Sequence, residues 1–452
     1  MESNIPLSQP VIIPRPEHNI SRANISPSAL KVLYRLHDAG HRACLVGGGV
    51  RDLLLGREPK DFDIATDARP EQVYKLFRNC RLIGRRFRLA HVQFGPEIIE
   101  VATFRAHGDD SDDGDGPTVE RAEDGRILSD NVYGSIEEDA WRRDFTINAL
   151  YYDISTFAVL DYVGGIADLK TGLIRLIGDP AQHYHEDPVR LLRAVRFAAK
   201  LGFRLDPATE APLHRLGHLL EKIPPARLFD EILKLFMGGC AIQTFELLRH
   251  YRLFGWLFPA TERCLNHQQQ HYPKTLLIRA LASTDRRLAE DKPINPAFLF
   301  AALLWEPLRE EQRHLEADGL DSHEALQVAA ETVIQTQIRH TALPRRYSLP
   351  MREIWELQQR LVYITGKRPL RLLTHPRFRA AYDFLVLRAE ADEQAAELAN
   401  WWTRFLALDD AGRARMLQPA AKARKSKSRR RRKPRSARKD DASSAAPPAS
   451  ET

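Results

Sequence analysis

The apolar positions fall at helical spacing, then at strand alternation, then at helical spacing only, in that order along the chain. Residues 26–38, SPSALKVLYRLHD, offer a serine N-cap, a first-turn proline and an apolar face of Ala29, Val32, Leu33 and Leu36, and so predict a helix. Residues 45–66, LVGGGVRDLLLGREPKDFDIAT, read as a short strand, a glycine turn, a helix opening at Val50 and a second strand. On that second strand, alternation puts Asp61 and Asp63 on one face and Phe62 and Ile64 on the other. Pro70 opens a further helix with Val73, Leu76 and Phe77 as its buried stripe. Residues 82–105 predict a hairpin about Gly95 and Pro96, with Ile98, Glu100 and Ala102 on one side and Ile99 and Val101 on the other.

Residues 107–135 are rich in Gly, Asp, Ser and Asn and predict a flexible loop within the same unit, because residues 139–153, DAWRRDFTINALYYD, resume a helix-to-strand pattern. Beyond GLIRLIGDP the regime changes. Pro188 is placed in a first turn preceded by Glu186 and Asp187, and the helix it opens buries Leu191, Leu192, Val195 and Ala198, with Gly202 at its end. Only helices are expected after that: one carrying Leu228, Ile232, Leu235 and Phe236, then others over 245–257, 298–308, 325–337, 345–364 and 376–388. The class is therefore α+β, a mixed sheet followed by an all-helical half. Residues 1–25 and 418–452 lack apolar periodicity and are expected to be disordered.

Composition narrows this picture in three ways. A hydrophobic content of 43% in 452 residues excludes general disorder and leaves room for two to four domains, while no apolar run reaches membrane-spanning length. The N-terminus has no secretory pattern, and Cys44, Cys80, Cys240 and Cys264 form no CxxC, so reduced thiols in a cytoplasmic core are expected. The net charge of +7 belongs to the tail: twelve basic and three acidic residues follow Gln418, leaving 55 basic and 57 acidic before it. That tail is expected to bind RNA nonspecifically, and any RNA site on the folded part must come from local patches.

The chemistry centres on Asp61 and Asp63. Two carboxylates on one exposed strand face suit Mg²⁺ held against substrate phosphates, and the neighbouring glycines let backbone approach a ligand. Glu100, if its strand pairs beside theirs, is a candidate third carboxylate, with an edge glutamate in water as the alternative. Arg85, Arg86 and Arg88 form a cationic cluster at the hairpin start. Arg142, Arg143, Asp144 and Asn148 are the polar members of their segment. His183, His185, His267 and His271 lack the spacing of a zinc site and are expected at the surface or at helix caps, and Trp401 and Trp402 are expected in a core, with base stacking as the alternative.

The segments LVGGGVRDLLLG, DFDIAT, RRDFTINALYY, YVGGIADLKTGLIRLIG, EDPVRLLRAVRFAAKL and IPPARLF together resemble the motif series of class II nucleotidyltransferases. This is the polymerase-beta-like group that contains bacterial poly(A) polymerases and tRNA CCA-adding enzymes. The resemblance spans about residues 40–260. It implies a catalytic head over 26–180, a neck for base recognition and RNA binding over 181–260, and an arginine-rich helical body over 261–417. Asp61 and Asp63 would hold two Mg²⁺ ions, with ATP as substrate. Gly47, Gly48 and Arg51 would approach the phosphates, Arg143 and Asp144 would contact triphosphate and ribose, and Glu186, Asp187 and Arg190 would read the base.

The hairpin GRRFRLAHVQFGPEIIEVATFR, the segment IPPARLFDEILKLF and the stretch RRYSLPMREIWELQQRL resemble the poly(A) polymerase branch. The implied activity is template-independent addition of AMP to RNA 3′ ends, promoting RNA turnover in the cytoplasm, with an RNA chaperone or RNA-decay proteins as partners. A CCA-adding enzyme is the first alternative and a noncatalytic RNA-binding scaffold the second. The chain departs from the family pattern mainly in its 107–135 loop and short leader.

Overall fold

The structure, a computed structural model, describes residues 9–84, 88–106, 120–121, 127–129, 132–267, 272–390 and 392–417. The Arg85 and Arg86 expectation, the tail, most of the 107–135 loop and His271 lie outside them. The strands are β1 (Val11–Ile13), β2 (Ala43–Val46), β3 (Asp63–Thr66), β4 (Cys80–Ile83), β5 (Leu89–Phe94), β6 (Glu97–Thr103), β7 (Glu120–Arg121), β8 (Ile127–Ser129), β9 (Leu150–Asp153), β10 (Val159–Asp161), β11 (Leu173–Ile174) and β12 (Arg204–Leu205). Eight of them form one sheet in the order β1-β10-β9-β2-β3-β6-β5-β4. Its pairs are antiparallel except β3 with β6, so the sheet is mixed.

The helices threaded through and around this sheet are α1 (Pro27–Asp38), α2 (Gly48–Leu54), α3 (Pro70–Leu76), α4 (Ile136–Trp141), α5 (Gly165–Thr171) and α6 (Pro180–Glu186). The helical half continues with α7 (Val189–Leu201), α8 (Pro207–Glu210), α9 (Leu213–Leu216), α10 (Pro225–Phe236), α11 (Ala241–His250), α12 (Phe254–Leu257), α13 (Pro259–His267) and α14 (Tyr272–Ala289). It closes with α15 (Pro296–Leu303), α16 (Trp305–Ala317), α17 (Ser322–Ile338), α18 (Arg345–Leu361), α19 (Arg368–Leu373), α20 (Phe378–Ala389), α21 (Glu393–Ala407) and α22 (Asp410–Met416).

Local chemistry explains the elements that frame the site. The Ser26 hydroxyl caps α1 by accepting from the Ala29 N–H at 3.1 Å, and Ala29, Val32, Leu33 and Leu36 are all buried. Strand alternation splits the sheet between two cores. Leu45 and Ile64 join the main core with α1, whereas Cys44, Val46 and Ala65 face a second cluster with Phe104, Tyr151 and Tyr162. The main core includes residues from Ile20 to Phe384 and so joins one face of the sheet to the helices, while Leu357, Leu361, Phe378, Trp402 and Phe405 form a separate cluster among the last helices. Truncating one of its fully buried leucines, such as Leu33, is expected to cost roughly 2–5 kcal/mol.

Five expectations are corrected. The 1–25 leader is not disordered throughout: Val11–Ile13 pairs with β10 at the edge of the sheet, and Ile20 and Ile25 are buried. The hairpin is a three-stranded meander, because β4 pairs with the outer edge of β5. Helices are not alone after residue 181: β12 pairs in parallel with β11 over two residues. The 245–257 helix is two, α11 and α12, broken where Arg252 takes a φ of +57°. The 298–308 helix also divides, because Pro307 has no N–H to offer the preceding turn and fits instead in the first turn of α16. The 18-residue α14 was not anticipated. The four cysteines are free, three of them buried and Cys240 half-buried. Trp402 is fully buried and donates from its indole N–H to the Leu361 carbonyl at 3.0 Å. Among the described residues, no helix is long and apolar enough to cross a membrane.

Candidate active site

The turn after β2 is built on Gly47, which takes φ +74° and ψ −139° at the start of α2, backbone that a side chain resists. A Cβ there would lie 3.9 Å from Asp63 Oδ2 and 3.8 Å from Arg143 Nη1, so a carboxyl group and a guanidinium both border the turn. Gly49 serves packing: its Cβ would meet the Asp61 carbonyl at 3.3 Å, which lets the Asp61–Asp63 segment lie against α2.

Asp61 is exposed just before β3, and Asp63, half-buried, is its first residue. The β3–β6 register sets Asp63 beside Glu100, and the β5–β6 register sets Glu100 beside His91, with which it pairs at 3.2 Å. Burial first, then the charges of Glu100 and Asp61, push the Asp63 carboxyl up to about 6 against the opposing pull of Arg143. Among the described residues no three side chains converge as a ready-made metal site. A pair of carboxylates is nonetheless what Mg²⁺ uses when substrate phosphates and water complete its shell, and crowded negative charge at Asp63 is what a cation relieves.

Arg143 follows α4 and is held by Asp139, four residues earlier, at 2.9 Å from Nη2 and by the Tyr151 hydroxyl at 2.8 Å from Nε. Tyr151 in turn donates to Asp139 at 2.7 Å. Burial would lower the basicity of Arg143, but Tyr151 and Asp139 outweigh it and raise it, fixing the cation. Nη1 is the guanidinium nitrogen directed at Gly47. Asp144 accepts from the Phe145 N–H at 2.8 Å, from Asn148 Nδ2 at 3.3 Å and from Arg193 Nε at 2.6 Å. Burial would raise its carboxyl; Arg193 and these hydrogen bonds hold it below its ordinary value.

Arg51 is placed differently from Gly47. It is buried, donating to Asp52 at 2.8 Å and to Asn148 Oδ1 at 2.7 Å, with its guanidinium 5.3 Å from the Phe197 ring centroid. Its place is beneath the turn, where it braces Gly48 and Asn148.

Glu186 is the last residue of α6 rather than part of the turn before α7, because Pro188 ends one helix and serves as N-cap of the next. It is buried and pairs with Arg190 Nη1 at 3.6 Å. Asp187 takes a different partner, Arg227 of α10, at 2.7 Å. A cavity of about 400 Å³ is lined by Arg143, Asp144, Asp187, Arg190, Arg193 and Arg227, among others. The structure thus gathers Arg143 and Asp144 with Asp187 and Arg190 on one cleft, while Asp61, Asp63, Gly47 and the buried Glu186 are not among its lining residues. His183, expected at the surface or at a helix cap, is buried with Tyr184 and Glu186 on the inward face of α6, and His185 is exposed as expected. Arg88 is exposed and pairs with Glu71 at 2.7 Å.

Sequence reasoning missed Arg193, Arg227, Asp139 and Tyr151. Arg193 carried a signal, lying one helical turn from Arg190, and Asp139 lay one turn before Arg143. Arg227 and Tyr151 reach their partners only through the tertiary fold.

The crystal structure of Bacillus stearothermophilus CCA-adding enzyme in complex with CTP superposes with a TM-score of 0.56, covering 88% of this chain and 89% of that one at 24% identity, a likeness of fold. The CCA-adding enzyme of Lactobacillus helveticus is 40% identical over 219 residues, 48% of this chain and 52% of that protein. Fold and site together define a nucleotidyltransferase of the polymerase-beta-like kind. The family models for the poly A polymerase head domain, the probable RNA- and SrmB-binding site of polymerase A and the polymerase A arginine-rich C-terminus match residues 43–175, 202–265 and 318–437. Poly(A) polymerase I of Escherichia coli O6:H1 is 54% identical over 407 residues, 89% of this chain and 87% of that protein. The chain belongs to the poly(A) polymerase family.

Proposed function

We propose that the chain is a template-independent polynucleotide adenylyltransferase that transfers AMP from ATP to RNA 3′ ends and releases pyrophosphate. The observation that carries this reading is the reach of its likeness to poly(A) polymerase I, 407 residues with the arginine-rich helical half included, against 219 for the CCA-adding enzyme of Lactobacillus helveticus. The family implies a nucleotide substrate, a divalent metal ion and RNA.

Asp61 and Asp63 are our candidates to hold Mg²⁺, two ions in all. Bound there, Mg²⁺ would supply Lewis-acid stabilisation of the charge that develops on the transferring phosphoryl group. Glu100, beside Asp63 and tied to His91, raises the negative field there. The backbone turn at Gly47 and Gly48 and the Nη1 face of Arg143 would approach the triphosphate, and Asp144, aligned by Arg193 and Asn148, would orient the ribose. Arg51 supports this platform from below. The RNA 3′ oxygen then forms its bond to the α-phosphorus as the bond to pyrophosphate breaks.

Adenine shows an amine donor beside a ring-nitrogen acceptor, which a carboxylate and a guanidinium can meet, so Asp187 and Arg190 would read it with Glu186 bracing Arg190. Cytosine shows the same order of groups, so rejection of CTP falls to the shape of the cavity and to the Arg227–Asp187 pair that fixes one wall. The domain division at residues 180, 260 and 417, a role in RNA turnover, a cytoplasmic location, and an RNA chaperone or decay proteins as partners belong to the same proposal.

The test is incubation of the purified chain with generic RNA, Mg²⁺ and one nucleotide at a time. Long products with ATP alone are expected. A short CCA end restricted to tRNA would assign the chain to the other branch.

A further inference from the structure

The helical half holds a second cavity, of about 810 Å³, which shares no residue with the candidate active site. Its walls come chiefly from α16, α18, α20 and α21. Trp305, Trp355 and Trp401 give it aromatic surface, and Arg309, Arg388 and Arg404 give it positive charge. The guanidinium carbon of Arg388 lies 4.7 Å from the Trp305 ring centroid and that of Arg309 lies 5.8 Å from it.

Two guanidinium groups share one buried indole, and the protein answers them incompletely. Arg388 donates from Nη1 to Gln358 at 3.0 Å and stands 3.7 Å from Asp392, while its Nε, closed to solvent, has no hydrogen-bond partner among the described residues. Arg309 donates to Gln312 at 2.8 Å, with Glu316 and Glu306 as the carboxylates that act on its charge. Burial, then the charge of Arg388, draws the Arg309 guanidinium below its ordinary basicity. Glu397 lines the cavity as well, so the wall carries three cations against two carboxylates.

Two neighbouring cations that repel each other are what an anion on the cavity wall would satisfy. The indoles narrow the choice, because a bare phosphate or an acidic peptide has no flat face for them. Trp401 is half-buried on the cavity wall and backed by Phe405, whose ring centroid is 4.8 Å away at an interplanar angle of 16°. A base stacks on such a surface, and the volume falls within the roughly 300–1,000 Å³ of small-molecule sites.

We propose that this cavity binds one nucleotide unit, its phosphate against Arg309 and Arg388 and its base against Trp401. The unit comes either from an RNA chain held away from its 3′ end or from a free nucleotide. The proposal stands apart from the catalytic reading and survives its failure.

The experiment uses the full chain and compares it with Arg309→Gln, Trp401→Leu and Arg404→Gln by equilibrium dialysis against AMP and by titration with a short oligo(A), each variant checked for folding by circular dichroism. For an RNA source, oligo(A) affinity falls about tenfold in Arg309→Gln and Trp401→Leu while the KM for ATP is unchanged. For a free-nucleotide source, the parent binds one more AMP per chain than the variants do, and oligo(A) affinity is unchanged. Arg404 is exposed, so Arg404→Gln keeps the comparison decisive if an interior variant does not fold; a loss of about threefold is expected there. Unchanged AMP stoichiometry together with unchanged oligo(A) affinity overturns the proposal.

Discussion

Arg193 of α7 donates from Nε to Oδ2 of Asp144 at 2.6 Å and so joins the helical half of the chain to the Arg143–Asp144 segment beside the sheet. The connection continues from Asp144 to Asn148 at 3.3 Å, from Asn148 to Arg51 at 2.7 Å and from Arg51 to Asp52 at 2.8 Å. Lys200 then stands 3.9 Å from Asp52, which returns the series to the helix it left. Phe197 lies on the same helix between those ends, with the guanidinium groups of Arg51, Arg193 and Arg196 within 5.3 Å of its ring. Charge and ring together hold the glycine turn and α7 in one register.

Arg193→Gln should therefore cost stability as well as activity. Breaking a fully buried pair costs roughly 3–5 kcal/mol, and the partial exposure of Arg193 reduces this to about 2 kcal/mol. Denaturant melts of Arg193→Gln, Asp144→Asn and the double variant check it. The double variant should lose less than the sum of the two; strict additivity would mean that the pair does not couple.

Asp63→Asn should stabilise the metal-free protein while it abolishes transfer. The Asp63 carboxyl titrates at about 6 when folded against 3.8 ordinarily, so the folded state holds the proton more tightly. Stability therefore falls as pH rises from about 4 to about 6, and the whole penalty stands above that window. The variant should exceed the parent by about 2–3 kcal/mol near neutral pH, with the difference gone near pH 4. Melting curves in a chelator read it directly, and a pH-independent difference would contradict the account.

Arg227→Ala should alter nucleotide choice with little loss of stability. The Arg227–Asp187 pair is partly open to solvent, which places its contribution at about 0–1 kcal/mol. Freed, Asp187 no longer holds one position beside Arg190. The expected result is a KM for ATP raised about fivefold or more and a smaller ratio of ATP to CTP incorporation, as loss of a positioning contact implies. Unchanged kinetics would remove Arg227 from the site.

Gly47→Ala should weaken both fold and activity despite the space around it. The nearest atoms to a new Cβ are 3.8 Å away, so the penalty comes from φ +74° rather than from collision. A loss of about 1–3 kcal/mol is expected from backbone of this kind. A thermal melt equal to that of the parent would show that the turn tolerates a side chain.

Much of this arrangement was legible in the sequence because it depends on local pattern. Ser26 and Pro27 mark the start of α1, Gly202 the end of α7, and alternation through Ile99, Glu100 and Val101 sets the faces of β6. Even the adjacency of Glu100 to Asp63 followed from one assumption about strand order, which the parallel β3–β6 pair meets. What the sequence hid is choice of partner. Spacing puts Arg190 near both Glu186 and Asp187, but only the approach of α10 decides that Asp187 takes Arg227. Arg51 sits in a glycine-rich turn and reads as a phosphate contact, while Asp52 and Asn148, the latter 97 residues away in sequence, hold it inside. Helix ends at Arg252 and Pro307 were blurred because apolar spacing continues across both breaks.

The central claim is that Asp61 and Asp63 carry adenylyl transfer on a chain that binds RNA elsewhere as well. Its most direct test is RNA extension with ATP and Mg²⁺ by the parent, Asp61→Ala and Asp63→Ala, with RNA affinity measured on the same preparations. The account predicts long products from the parent, none from either variant, and RNA affinity within about twofold of the parent in both. Appreciable extension by either variant would contradict it.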